Sequence, residues 1–181
     1  MVMALRKIQI RRESTRGNPV TSGMDLLFGA LTMTPTLNLY MPEDEERNSM
    51  ALLHRRSTTG QQAAMSYSGS LTYEQIINLL AMALQGATTD AGAGLITTPT
   101  NGMITRDWTY EPTLIASPGQ NAFTFQYGDN QQAYQSVFTM ISQLEFTYAM
   151  GEPVTVSADL FGRFPTKVSF GVSPTELTVE D

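Results

Sequence analysis

The stretch NAFTFQYGDNQQAYQSVFTMISQLEFTYAMGEPVTVSADLFGR, residues 121–163, decides the fold. Phe123, Phe125 and Tyr127 alternate with Thr124 and Gln126, the period-2 pattern of a half-buried strand. Gly128, Asp129 and Asn130 tolerate positive φ and reverse the chain at little cost. Tyr134, Phe138, Met140, Leu144, Phe146 and Tyr148 then share one parity without a slip. The other parity carries Gln135, Thr139, Gln143, Glu145 and Thr147, with Val137 and Ile141 apolar in its middle. Gly151, Glu152 and Pro153 turn the chain again, and Val154, Val156, Ala158 and Leu160 alternate with Thr155, Ser157 and Asp159. The pattern predicts a β-meander. Its core side holds Tyr134, Phe138, Leu144 and Phe146, and its wet side holds the polar set from Gln135 to Thr147.

A strand of this length, at roughly 3.3 Å per residue, spans about 50 Å. A compact chain of this size is only roughly 40 Å across. The strand must therefore bend strongly or project into a neighbour's sheet. Projection means assembly.

Outward from the meander, one helix is legible, from residue 72 to about residue 85. Thr72 and Gln75 have capping-box spacing, and Ile76, Leu79, Leu80 and Ala83 form an apolar stripe. Gly86 stands where a left-handed residue stops a helix. Residues 103–110 read as a strand through Ile104, Trp108 and Tyr110. Residues 21–40 have weak periodicity, with a short strand at best around Leu37 and Leu39. Residues 1–20 read as a basic N-terminal arm, within which Ile8, Gln9 and Ile10 alternate as a first strand would, and residues 21–181 as the β domain.

At 181 residues one domain is the default, and 41% apolar against 15% charged residues suits a folded chain. The absence of cysteine excludes disulfides and thiolate metal sites. No apolar leader or membrane-length apolar run is present in the sequence, so synthesis in a cytoplasm is expected. The net charge of −6 is uneven: Arg6, Lys7, Arg11, Arg12 and Arg16 precede an acidic body. Glu43, Asp44, Glu45 and Glu46 form an acidic turn that such an arm could meet on an adjacent subunit. The acidic body argues against a nucleic-acid reader, whose face would be basic.

Catalytic patterns are missing. His54 is the single histidine, Ser66 to Ser70 lacks the G-x-S-x-G spacing, and Gly92-Ala93-Gly94 lacks the third glycine of a dinucleotide loop and the lysine of a phosphate loop. Glu145 and Asp159 read as solvated charges on the wet face, and Asp129 as the cap of its own turn. No catalytic, cofactor-binding or metal-binding residue is assigned, and no enzyme activity is expected.

Several pieces together resemble the tail tube (major tail) proteins of long-tailed bacteriophages. These are Glu13-Ser-Thr-Arg-Gly17, the helix Leu71-Thr-Tyr-Glu-Gln-Ile-Ile-Asn-Leu-Leu80, Trp108-Thr-Tyr-Glu-Pro112, the stretch from Phe123 to Tyr134, and Gly151 to Arg163. They occur in the family's order over most of residues 8–170. Members of that family usually run on further, whereas this chain stops at Asp181, as a short or C-terminally truncated member would. The resemblance implies a mainly β (α+β) fold, an antiparallel β-sandwich or barrel with one packed helix and long hairpins. It implies a structural virion protein whose rings, six subunits each, stack into the conduit for DNA ejection. Self-contacts, tape measure, tail terminator and tail-tip proteins are the implied partners, and the virion tail, assembled in the host cytoplasm, the implied place. Gln135, Thr139, Gln143, Glu145 and Thr147 are then candidate lumen residues. The five basic arm residues and the four acidic turn residues are candidate inter-subunit contacts. A different class, a tail-tip or decoration β-sandwich binding a host-surface glycan, would instead use exposed aromatics, with Trp108 and Tyr110 as the discriminating pair.

Overall fold

A computed structural model describes residues 6–40, 57–84, 95–97, 105–107, 121–129 and 131–170. The elements run β1 (Lys7–Arg12), β2 (Asp25–Leu27), β3 (Ala30–Tyr40), β4 (Ser57–Ser70), α1 (Tyr73–Ala83), β5 (Leu95–Thr97), β6 (Thr105–Asp107), β7 (Phe123–Gly128), β8 (Ala133–Thr147), β9 (Thr155–Gly162) and β10 (Thr166–Val168). The fold is mainly antiparallel β with one helix among the described residues.

The principal sheet has the order β2-β1-β7-β8-β9-β4-β3, with β10 also on β8, while β5 and β6 pair separately. The two ends of that order, β2 and β3, are one stretch of chain interrupted only by Phe28 and Gly29. The order therefore closes on itself around one core. Ile8, Ile10, Phe123 and Phe125 share this core with Leu31, Met65, Tyr67, Val156 and Leu160, and Leu79 and Met82 of α1 belong to it too. The corner needs a residue without a side chain, because a Cβ on Gly29 would lie 2.6 Å from the Ser68 carbonyl oxygen. Tyr67 ties the corner by donating its hydroxyl to the Phe28 carbonyl at 2.7 Å.

The meander is present, but its long strand is not one uninterrupted face. Opposite β7, Phe123 pairs Thr139 and Phe125 pairs Ser136, so β8 holds one extra residue there. Opposite β9, Ile141 pairs Leu160 and Gln143 pairs Asp159, leaving Ser142 as a second extra residue. Each bulge flips the phase, and the two flips cancel. Ser136 faces the core before the first bulge, Thr139 and Ile141 between them, and Leu144 after the second. The parity expectation therefore fails between the bulges and towards both ends of the strand. Gln135 (6% exposed) and Thr139 (0%) are buried, not wet, and Tyr134 and Phe146, each 38% exposed, are not core. Gln143, Glu145 and Thr147 are exposed as expected.

Other expectations shift as well. Residues 7–12 are not a free arm but β1, paired with β2 on one side and β7 on the other, with Ile10 fully buried. The short strand expected near Leu37 is an 11-residue edge strand that accommodates Pro35, as an edge can. β4 was not expected at all, because Ala63, Met65 and Tyr67 are its only buried side chains. Of the strand expected over residues 103–110, the backbone of Thr105–Asp107 is described, while Ile104, Trp108 and Tyr110 lie outside the described residues.

In α1, the Thr72 hydroxyl accepts from the Gln75 N–H at 3.3 Å, half of the expected capping box. The Gln75 side chain does not return the bond. Its amide instead bridges the corner, with nitrogen toward the Ser70 carbonyl (3.0 Å) and oxygen toward the Phe28 N–H (2.7 Å). The buried stripe is Gln75, Asn78, Leu79 and Met82, rotated from the predicted one, while Leu80 is only half-buried. Gly86 lies outside the described residues. Asp129 caps its own turn as expected, accepting from Gln131 N (2.8 Å) and Gln132 N (2.9 Å). The Gln132 and Gln131 N–H groups hold its carboxyl below the ordinary carboxylate range.

Leu79→Ala should lower unfolding free energy by roughly 2–5 kcal/mol. Leu80→Ala should cost clearly less, as read from urea midpoints.

Burial pushes the Tyr67 phenol from 10.0 up to about 12. Above its ordinary value the unfolded chain sheds this proton while the folded chain keeps it, so stability falls as pH climbs from about 10 to about 12. That loss should be on the order of 2 kcal/mol. Tyr67→Phe should flatten this alkaline limb in pH-dependent denaturation, after losing about 1 kcal/mol at neutral pH with the hydroxyl bond.

Candidate functional surfaces

The motif Glu13–Gly17, Thr124 of β7 and Arg163 meet at the first bulge of β8. Phe138 sits there at φ 55, a left-handed conformation that bulky residues rarely adopt. The buried Glu13 carboxylate holds it. Its Oε1 accepts from the Phe138 N–H (2.7 Å) and the Thr124 hydroxyl (3.0 Å), and its Oε2 from the Gly17 N–H (2.5 Å). The Thr124 hydroxyl in turn accepts from Val20 N at 3.2 Å. From the far side, Arg163 N donates to the Val137 carbonyl (3.0 Å), and the Ser136 hydroxyl donates to the Arg163 carbonyl (2.8 Å). The Arg163 guanidinium lies 5.6 Å from the Phe138 ring and 3.4 Å, through Nη1, from the Gly17 carbonyl oxygen. Gly17 has φ +82, and a Cβ on it would come within 2.8 Å of Arg163 Nη2. First and last motifs thus clamp one strained turn of β8 between them.

What the clamp positions is the outer face of β8, β9, β4 and β3. Beyond the bulges the register places Gln143, Asp159, Ser66 and Thr32 in one row, and Glu145, Ser157, Ser68 and Ala30 in the next. Thr147, Thr155 and Ser70 form a third. All these side chains are exposed. The face is therefore hydroxyl and amide, with Asp159 and Glu145 as its charges and no lysine or arginine among these rows. The two carboxylates stand on adjacent strands, one row apart, on a solvated surface. Their lack of a buried setting matches the expectation of solvated charges.

A second face, behind β1, β7 and the start of β8, is polar yet buried. Gln9, Gln126 and Gln135 form a row across it, with Gln126 Nε2 donating to Gln135 Oε1 at 2.9 Å. Gln135 belongs to this internal layer.

The sheet also overshoots its core at both ends. β9 covers β4 only from Ala63 to Ser70, so Ser57 to Gln62 and their partners on β3 project as a two-stranded ribbon. Leu37, Leu39 and Tyr40 are 46%, 39% and 57% exposed there. At the opposite end, the tip joining β8 to β9 exposes Tyr148 (82%), Met150 (105%) and Val154 (39%), with Tyr73 (74%) at the start of α1. These two ends were not among the sequence-derived sites. The sequence signal for them is the alternation of Leu37 with Leu39 and the place of Tyr148 at the end of the apolar parity of β8.

The basic residues of the first segment divide. Arg11 pairs with Asp25 at 3.8 Å, and the Lys7 ammonium lies 4.2 Å from the Phe170 ring centroid. Arg12 is half-buried, while Arg6 and Arg16 are exposed. Glu43, Asp44, Glu45, Glu46 and His54 lie outside the described residues. Among the described residues, no three His, Cys, Asp or Glu side chains converge as metal ligands would.

No protein-family model and no curated protein matches the sequence. Solved structures do. The virion of a native gene transfer agent particle gives a TM-score of 0.46 at 9% identity, covering 90% of this chain and 95% of that one. The SPP1 tail tube gives 0.46 at 10% identity, covering 90% and 75%. The tail of an empty gene transfer agent particle gives 0.46 at 10% identity, covering 90% and 96%. Its structural neighbours include tail tubes. Identity at this level concerns the course of the chain alone, so the surfaces carry the functional argument.

Glu13→Gln replaces one acceptor oxygen by an amide that faces donors. It should cost roughly 1–3 kcal/mol, since a buried N–H loses its partner. A lowered urea midpoint with an unchanged m-value would report it.

Proposed function

We propose that this protein is a structural subunit of a virion tail tube, forming rings that stack into the conduit through which DNA is ejected. The carrying observation is the sheet β8-β9-β4-β3. One face is polar without a cation in its rows, and both ends extend past the core with apolar side chains. A cation-free hydroxyl face lets a polyanion slide without the counterion release that drives nucleic-acid binding. On this reading Gln143, Glu145 and Thr147 line the lumen together with Thr155, Ser157, Asp159 and Ser66. Gln135 and Thr139 do not.

Assembly has its own support. Among the described residues β3 is paired on one side only, an edge of N–H and C=O groups that a neighbour's strand could meet. Apolar projections at opposite ends suit head-to-tail contacts, which grow into rings or filaments rather than closed pairs. Rings of six follow from the sequence resemblance, as do tape measure, tail terminator and tail-tip partners, assembly in the host cytoplasm and a non-catalytic role. In that assembly Arg6 and Arg16 would meet the acidic turn at residues 43–46 of an adjacent subunit, a contact weakened by salt.

Negative-stain electron microscopy of the concentrated protein should show rings or hollow tubes whose abundance falls at high salt. Uniform monomers at every concentration would overturn the proposal. Duplex DNA should pass the native protein without retardation at physiological salt. Tubes of Ser157→Lys should retain DNA, with a salt slope rising by about one for each lysine contact made.

A further inference from the structure

β3 is an 11-residue strand, ALTMTPTLNLY, without a single charged side chain. Among the described residues nothing pairs with its outer side. Such an edge recruits strands from other molecules unless charge, shortness, a bulge or a proline prevents it. Length and charge give no protection here. The one irregularity of the β3–β4 ladder comes late, between Asn38 and Leu39. Pro35 stands exposed near the middle, and the ladder passes through it in unbroken register.

The direction of its missing N–H follows from the strands beyond it. Along an antiparallel strand, successive residues turn their backbone groups to opposite sides. Just before β9, the Val154 carbonyl accepts from Leu71 N at 2.8 Å, on the β4 side. Just after it, Arg163 N donates to the Val137 carbonyl of β8 at 3.0 Å. The Asp159 carbonyl also faces β8, where it accepts from the Ser142 hydroxyl at 3.0 Å. Even-numbered residues of β9 therefore turn to β4, and odd-numbered ones to β8. Gly162 is even, and its partner Ala63 turns its own backbone groups to β9, away from β3. Ala63 is also the partner of Pro35. Theirs is thus a non-hydrogen-bonded pair, and the Pro35 nitrogen looks outward. The proline removes no bond from the β3–β4 ladder. What it interrupts is the outer row of donors, between the N–H groups of Met33 and Leu37.

We propose that Pro35 is a stop that keeps the outer edge of β3 from pairing along its length with β3 of a second copy of this chain. The edge is its own best partner, rich in threonine and leucine and with no like charge to push a copy away. Antiparallel pairing of two such edges must pass the proline of each copy. There a donor is absent and the ring fills the place of the bond. Only the shorter runs Ala30–Thr34 and Thr36–Tyr40 stay open to a strand. The inference goes beyond the tube reading and does not depend on it, since any use of the molecule requires that its edge not grow into a continuous sheet.

The test compares the full chain with Pro35→Thr and Pro35→Lys at equal concentration. Pro35→Thr should raise thioflavin T fluorescence severalfold and give ragged fibres or sheets in micrographs. Its urea midpoint should stay near wild type, and in dilute monomer the amide restored at position 35 should exchange rapidly with solvent. Pro35→Lys restores the same N–H but sets a charge on the edge, so its fluorescence should remain at the wild-type level. Unchanged fluorescence in Pro35→Thr would overturn the proposal, and so would an equal rise in Pro35→Lys. A strongly protected amide at position 35 would overturn the outward geometry. A collapsed urea midpoint would do the same for the stop, by tracing the fibres to unfolded chains. Micrographs keep this inference apart from the tube reading. Wild-type tubes with no effect of Pro35→Thr sink the stop alone, whereas fibres confined to Pro35→Thr beside monomeric wild type sink the tube and leave the stop standing.

Discussion

The carboxylate of Glu13, buried under the sheet, is the contact on which the bend of β8 depends. Phe138 stands in a left-handed conformation that by itself costs on the order of 1–3 kcal/mol. The bulge leaves its N–H outside the ladder, and Glu13 supplies the acceptor. Charge-assisted bonds of this kind are about twice as strong as neutral ones, and three converge on this one group. Arg163 braces the bulge from the far side through its own backbone N–H and the stacked guanidinium. A segment near the N-terminus and one near residue 163 are thereby fastened to the same turn of chain.

The bend explains how one strand serves two environments. Before it, β8 lies between β7 and β10, with a buried polar row on one side and Ser136 toward the core on the other. After it, β8 pairs with β9 and presents an open polar face to solvent. A straight strand of this length would carry its apolar parity far beyond the core. Two bulges instead keep Ile141 and Leu144 in contact with the core and leave only the final stretch, from Phe146 to the tip, projecting.

The exposed apolar ends and the cation-free face have different physical meanings. Tyr148, Met150, Leu37 and Tyr40 stand in water at the two ends of the sheet, apolar surface of the kind that contacts between molecules cover. The polar face is already well solvated and needs no partner. Its chemistry is hydroxyl and amide with the two carboxylates of Glu145 and Asp159.

The sequence by itself determined the β class, the meander, the single helix with its Thr72 cap, the Asp129 turn and the wet side of β8 from Gln143 onward. Each is a local periodicity or a turn preference, carried by neighbouring residues. It also contained a trace of the bulges in Val137 and Ile141, apolar residues on the polar parity, which mark the segment between two slips that cancel. Only the tertiary structure decided that Gln135 and Thr139 are internal, that residues 7–12 lie inside the sheet, and that β3 and β4 are long strands. Those outcomes depend on which strands come to lie on either side of a residue. Ser, Thr and Gln read the same in a sequence whether they face water, the core or a row of other glutamines. Burial is set by partners distant in the chain, and a carboxylate at residue 13 can hold a bulge at residue 138 only once the sheet has brought them together.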